Sequence, residues 1–192
     1  MARQITVAYG INGHGTIVGL YVDAGGFQHG FLDNGGVFST QDIPGSINSG
    51  VYGINNLGDT VGYYVDAAGA HGYSKSGTTV TTLNFPGTNR TYARGINDSG
   101  EIVGYFNFNL PSANFDHGLV DIGGLFQQVD FPGAVQTEIF GVNDLGQIVG
   151  SYLTGAGVMN GFLGTPVAAP EPWTLAVLFP YVTGFLLYRR RR

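Results

Sequence analysis

The sequence predicts an all-β repeat domain, propeller-like in its rhythm, and three observations predict it. One motif is written four times, as "YGINGHGTIVGLY", "YGINNLGDTVGYY", "RGINDSGEIVGYF" and "FGVNDLGQIVGSY". Its asparagines, Asn12, Asn55, Asn97 and Asn143, are spaced by 43, 42 and 46 residues. Each copy breaks into short runs of β-branched and aromatic residues bounded by Gly, Asn and Asp, the pattern of strands joined by tight turns. No stretch of the repeated body sustains a helical period.

The copies lie near 5–45, 46–87, 88–133 and 134–164, and together form a repeat domain over 1–164. The second copy shows the element order. Strand a is expected near Val51 to Asn55, strand b over Thr60 to Val65, strand c over His71 to Ser74, and strand d near Thr79 to Phe85, ending at Pro86-Gly87. The turns between them carry Gly, which reaches positive φ without a Cβ clash, and Asn or Asp, which bond back to their own backbone. Strand b holds an internal glycine in every copy: Gly19, Gly62, Gly104 and Gly150. A glycine inside a strand weakens it, so its recurrence predicts close approach of a neighbouring backbone or ring. Val18, Val61, Val103 and Val149 are expected to face the core, with Tyr21, Tyr64, Phe106 and Tyr152 on the other face.

Four antiparallel strands in forty-odd residues is the rhythm of a propeller blade. One such sheet cannot bury both its faces, whereas blades set around an axis can, and closure protects the strand edges. A four-bladed ring is the expected architecture, and an open stack of small sheets is the alternative. The "GIN-x-x-G-x-IVG-x-Y" and "HGF" elements, over nearly all of Tyr9 to Gly164, resemble the HAF family of extracellular repeats. That resemblance implies a surface location and little about activity.

Repeat arithmetic bears on closure. Pro44, Pro86 and Pro132 each lie ten residues before Ile54, Ile96 and Val142, which puts Met1 at the proline position of the first copy. The strand d that should precede it is missing, and the last copy stops after its strand c at Gly164. The expectation is a ring with one incomplete blade, or an unclosed structure with an exposed edge, and an N-terminus lacking upstream residues. "MARQITVAYG" contains no apolar export segment, which agrees with that reading.

Charge is uneven. Only 11% of residues are charged and the net charge is −5, yet Arg189 to Arg192 supply half of the basic residues. The acidic body before Pro170 would repel nucleic acid, and no basic patch with interleaved aromatics is present. With no cysteine, disulfides and thiolate metal sites are excluded.

The C-terminus carries the clearest address. A linker, 165–172, ends in Pro170-Glu171-Pro172; Trp173 to Tyr188 is an uncharged apolar run; Arg189, Arg190, Arg191 and Arg192 follow. As a helix the run would span about 24 Å, short of the roughly 30 Å of bilayer hydrocarbon. Snorkelling arginines and the interfacial rings of Trp173 and Tyr188 would make up the difference, and Pro180 would kink the helix. Arginines stay on the cytoplasmic side, which places the repeats outside. This three-part order resembles a PEP-CTERM sorting signal. The resemblance implies recognition of Pro170, Glu171 and Pro172 by an exosortase, a transpeptidase-like membrane enzyme of exopolysaccharide-producing Gram-negative bacteria, and cleavage near them. An ordinary tail anchor is the alternative.

Among repeated polar residues, His29, His71 and His117 share one position, with Asn160 in the fourth copy. Symmetric histidines are potential metal ligands. Asparagine is a poor one, so a turn-fixing hydrogen bond is the expected role. His14 sits in a turn. Asp23, Asp33, Asp66 and Asp121 open Gly-containing turns without the dense spacing of a calcium loop. Tyr63 and Tyr105 read as exposed-face rings that could stack on sugars, although a packing role is the stronger expectation. No nucleophile elbow, zinc-protease helix or phosphate loop is present. The sequence therefore predicts a non-catalytic surface or matrix protein that needs no cofactor. Its partners would be the processing enzyme, the membrane and exopolysaccharide. A glycan- or calcium-binding module is the alternative.

Overall fold

The computed structural model describes residues 5–108 and 115–166. Pro170 to Pro172, the apolar run 173–188 and the Arg cluster lie outside the described residues.

The described chain is all-β, with fifteen strands and no helix. The first unit holds β1 (Ile5–Ile11), β2 (Thr16–Val22), β3 (Gln28–Asn34) and β4 (Val37–Gln41). The second holds β5 (Asn48–Ile54), β6 (Thr60–Asp66), β7 (Gly69–Ser76) and β8 (Thr79–Leu83). The third holds β9 (Arg90–Ile96), β10 (Ile102–Asn107), β11 (His117–Ile122) and β12 (Leu125–Gln128). The fourth has three strands: β13 (Ala134–Val142), β14 (Ile148–Thr154) and β15 (Met159–Gly164). Each unit is an antiparallel meander. A single parallel bridge between Ala70 and Arg90 links the second and third units into one eight-stranded sheet, so there are three sheets in all.

Asparagine builds the turn after each first strand. The Oδ1 of Asn55 accepts from the backbone N–H of Leu57 and Asp59, at 3.1 and 2.8 Å. Asn12, Asn97 and Asn143 make the same pair of bonds to the residues two and four positions on. The closing glycine of each turn, such as Gly58 at φ 85°, occupies the left-handed region.

The strand glycines do what their recurrence predicts. A Cβ on Gly104 would lie 1.9 Å from the Tyr92 carbonyl oxygen, and one on Gly19 would meet the Val7 carbonyl at 2.0 Å and the Phe31 ring at 2.6 Å. Only hydrogen fits there.

The core lies in the joints between successive units. Val51, Ala93 and Ile139, on the first strands of units two to four, are fully buried against the second and third strands of the preceding unit. Each seats over the glycine of the "HG" pair: Val51 at Gly30, Ala93 at Gly72 and Ile139 at Gly118. Polar bonds rivet the joints. The Nδ2 of Asn12, Asn55 and Asn97 donates to the carbonyl of Asn55, Asn97 and Asn143 in turn, at 3.1, 3.2 and 3.1 Å.

Two expectations are corrected. Val18, Val61 and Val103 are fully buried, but Val149 is 48% exposed, because no following unit among the described residues covers its face. Tyr63 is not an exposed-face ring. It shares the face of Val61, two residues away, and is buried in the joint. Tyr105 is half-buried in the same way. The four units do not form a closed barrel, and ring closure is not observed.

Candidate binding site at the four bulges

Every first strand carries a β-bulge at the same place. In β1 the pairing jumps from Ala8 to Gly10, in β5 from Val51 to Gly53, in β9 from Ala93 to Gly95, and in β13 from Ile139 to Gly141. The skipped residues are Tyr9, Tyr52, Arg94 and Phe140. A bulge bends its strand and re-aims the extra side chain. The following glycine lets neighbouring units approach backbone to backbone: a Cβ on Gly53 would lie 3.1 Å from the Gly95 Cα.

The four side chains converge. The Arg94 guanidinium carbon lies 4.0 Å from the Tyr52 ring centroid, 5.4 Å from Phe140 and 5.8 Å from both Tyr9 and Tyr105. All four rings are within cation–π range. Around them runs a row of tyrosines: Tyr9 to Tyr52 at 4.8 Å, Tyr52 to Tyr63 at 5.2 Å, Tyr63 to Tyr92 at 5.5 Å and Tyr92 to Tyr105 at 5.0 Å. The Tyr63 hydroxyl donates to Gln28 Oε1. Burial pushes the Tyr52 hydroxyl up to about 12 despite the nearby Arg94 charge, and burial also raises Tyr63 and Tyr105. These phenols stay neutral donors at physiological pH.

Beside the cluster, Glu138 on β13 lies near Asp116 at the entrance to β11. Burial raises the Glu138 pKa, the Asp116 carboxylate raises it further, and the Arg94 charge opposes both. The site thus offers flat rings, a guanidinium and a carboxyl pair, with Tyr9 44% and Phe140 38% exposed.

The histidines do not belong to it. His29 Nδ1 lies 2.8 Å from Asp42, His71 Nδ1 lies 2.9 Å from Asn84, and His117 Nδ1 lies 2.9 Å from Asp130. In each case strand c is latched to the residue two positions before the Pro-Gly turn. Asn160 donates instead to the Val158 carbonyl at 3.3 Å. His29 and His71 also reach Asp23 and Asp66, whose carboxylates receive backbone N–H groups of their own turns. Asp33 and Asp121 accept from Gly36 and Gly124 in the same fashion. Among the described residues no three metal-ligating side chains are arranged so that they could hold a metal ion.

Tyr9, Tyr52, Arg94, Phe140, Asp116 and Glu138 are not among the candidates the sequence singles out. A signal for four of them was present: the residue before the "GIN" or "GVN" glycine is aromatic or Arg in every copy. No protein-family model matches the chain, and no curated protein matches it.

Proposed function

We propose that this chain is an exported, non-catalytic repeat protein of the cell envelope or extracellular matrix, sorted and cleaved by an exosortase-type enzyme. The observation that carries the reading is the order of the tail: Pro170-Glu171-Pro172, then sixteen uncharged residues from Trp173 to Tyr188, then Arg189 to Arg192. Four arginines resist translocation and an apolar run this long partitions into a bilayer, so the tripeptide is left at the outer surface for a membrane enzyme. The acidic body suits a location away from nucleic acid. Supporting the non-catalytic part, the repeated Asn, His and Asp side chains are bonded into turns and latches.

The finer architecture follows the same reading: a propeller-like arrangement with an incomplete fourth blade. Its support is the meeting of bulge residues from the first, second and fourth units around Arg94 of the third. The test of sorting is the mass of the mature protein, expressed behind an export signal, in an exosortase-bearing host. Loss of the C-terminal segment, abolished when Pro170, Glu171 and Pro172 are changed to Ala, is expected. A chain that is exported and still left uncut would overturn it.

A second reading, a glycan-binding module, is favoured by the exposed Tyr9 and Phe140 rings beside Arg94 and the Asp116–Glu138 pair. Rings stack on the apolar faces of sugars, while guanidinium and carboxyl groups bond to their oxygens. Glycan-array binding by the whole chain, lost in Tyr9→Ala, tests it; no binding to any glycan removes it.

A further inference from the structure

The joint between units leaves two unused halves, one at each end of the described fold. At the first unit, Ala8 and Thr6 are exposed, although their counterparts Val51, Ala93 and Ile139, and Ser49, Thr91 and Thr137, are all exposed by 1% or less. A groove of about 320 Å³ lies beside them, lined by Ala8, Tyr9, Gly10, Ile11 and Ile17. At the fourth unit the complementary half is bare. Val149, Met159 and Leu163 are 48%, 54% and 46% exposed. A Cβ on Gly161 would meet nothing closer than the Gly150 carbonyl oxygen at 3.7 Å, whereas Gly30, Gly72 and Gly118 each receive the next unit's first strand. Asn143 keeps the local bond to Gln147, at 2.8 Å, and among the described residues no further asparagine carbonyl stands beyond it as one does for Asn12, Asn55 and Asn97.

We infer that the fourth unit of one chain receives the first unit of a second copy, repeating the joint used three times within the chain. Ala8 of the incoming copy seats over Gly161 as Val51 seats over Gly30, and Asn143 Nδ2 donates to the Asn12 carbonyl. The chain's own first unit is not the occupant in this structure: curvature brings Tyr9 and Phe140 to the same arginine, yet both faces stay bare. The contact uses two different surfaces, so it is heterologous and adds copies in one direction. One rung of the internal joint is lost. Asn56, Asp98 and Asp144 each accept the preceding unit's backbone N–H through Oδ1, and Gly13 has no side chain to do so for Asp144.

Complementation tests this arrangement. Full-length chain in mild detergent is measured by sedimentation velocity from micromolar to millimolar concentration, alone and as Ala8→Arg and Gly161→Arg. Both positions are exposed, and the Gly161 backbone does not require glycine, so both variants keep the wild-type circular dichroism and melting temperature. Wild type is expected to grow with concentration, and each variant to stay monomeric. Their mixture is expected to double in mass and stop, because one intact head meets one intact tail. A wild type that stays monomeric overturns the inference. So does association that neither variant weakens, which assigns it to the apolar tail. Failure of the mixture to recover association overturns it too.

Discussion

The guanidinium of Arg94 lies 4.0 Å from the centroid of the Tyr52 ring, and each of the two side chains is the extra residue of a β-bulge in its own unit. All four units meet through these bulges, so Arg94 links residues that are distant in sequence. Arg94→Ala is expected to lower stability by about 1–2 kcal/mol through lost cation–π contact and packing. Arg94→Lys should retain part of it. Urea denaturation midpoints check both.

Glycine at the centre of strand b is a packing requirement. Gly104→Ala would drive a methyl into the Tyr92 carbonyl and should cost at least about 2 kcal/mol. Gly161→Ala meets no atom closer than 3.7 Å and should leave the monomer's melting temperature unchanged. Thermal unfolding of the pair separates a steric role from a general intolerance of strand substitutions.

Asparagine in the turn serves both its own unit and the next. Asn97→Ala removes the one oxygen that accepts both turn bonds and the donor to the Asn143 carbonyl at a buried position, an expected loss of about 2–3 kcal/mol. Asn143→Ala removes the same turn bonds at an exposed position with no next unit among the described residues, and about 1 kcal/mol is expected. Hydrogen exchange of the turn amides shows which bonds open.

Stability should vary with pH in windows set by named groups. Desolvation acts to lower the His29 pKa, but the bonds and charges of Asp42 and Asp23 outweigh it and the folded value is raised above 6.5. Its contribution is therefore complete below 6.5 and is lost as pH rises through the folded value. His29→Gln should remove that slope. Glu138 is also raised, so the fold is penalised as pH climbs from 4.5 through its folded value, and Glu138→Gln should flatten that interval. Asp23, Asp66 and Asp98 are lowered, mainly by hydrogen bonds to their carboxylates. Their stabilisation is present above 3.8 and disappears as pH falls through their folded values. Melting temperature against pH for wild type and the two variants measures each window.

Local rules made much of the fold legible. Asn before two residues and a glycine specifies a turn because the side chain bonds its own backbone, and the four such turns stand where the motif puts them. The strand order, and the three strands of the last unit among the described residues, could likewise be read from spacing. The burial of Tyr63 was within reach too, since the alternation of strand faces puts it on the side of Val61, only two residues away. The Arg94 cluster and the Asp116–Glu138 pair were out of reach: a bulge shows as one unpaired residue, and a meeting of side chains from different units depends on how the sheets curve.

By itself the sequence determined a four-copy β-repeat with Asn-built turns, glycine contacts inside each second strand, and an acidic body ahead of an apolar, Arg-terminated tail. These follow from local backbone conformation, hydrogen-bonding reach and solvation, which act over a few residues. Only the tertiary structure decided that the core lies between units, that the bulge residues converge on Arg94, and that Ala8 and Gly161 end the series bare. Those outcomes depend on packing one sheet against the next, where a single residue's burial is set by whether a neighbouring unit stands over it.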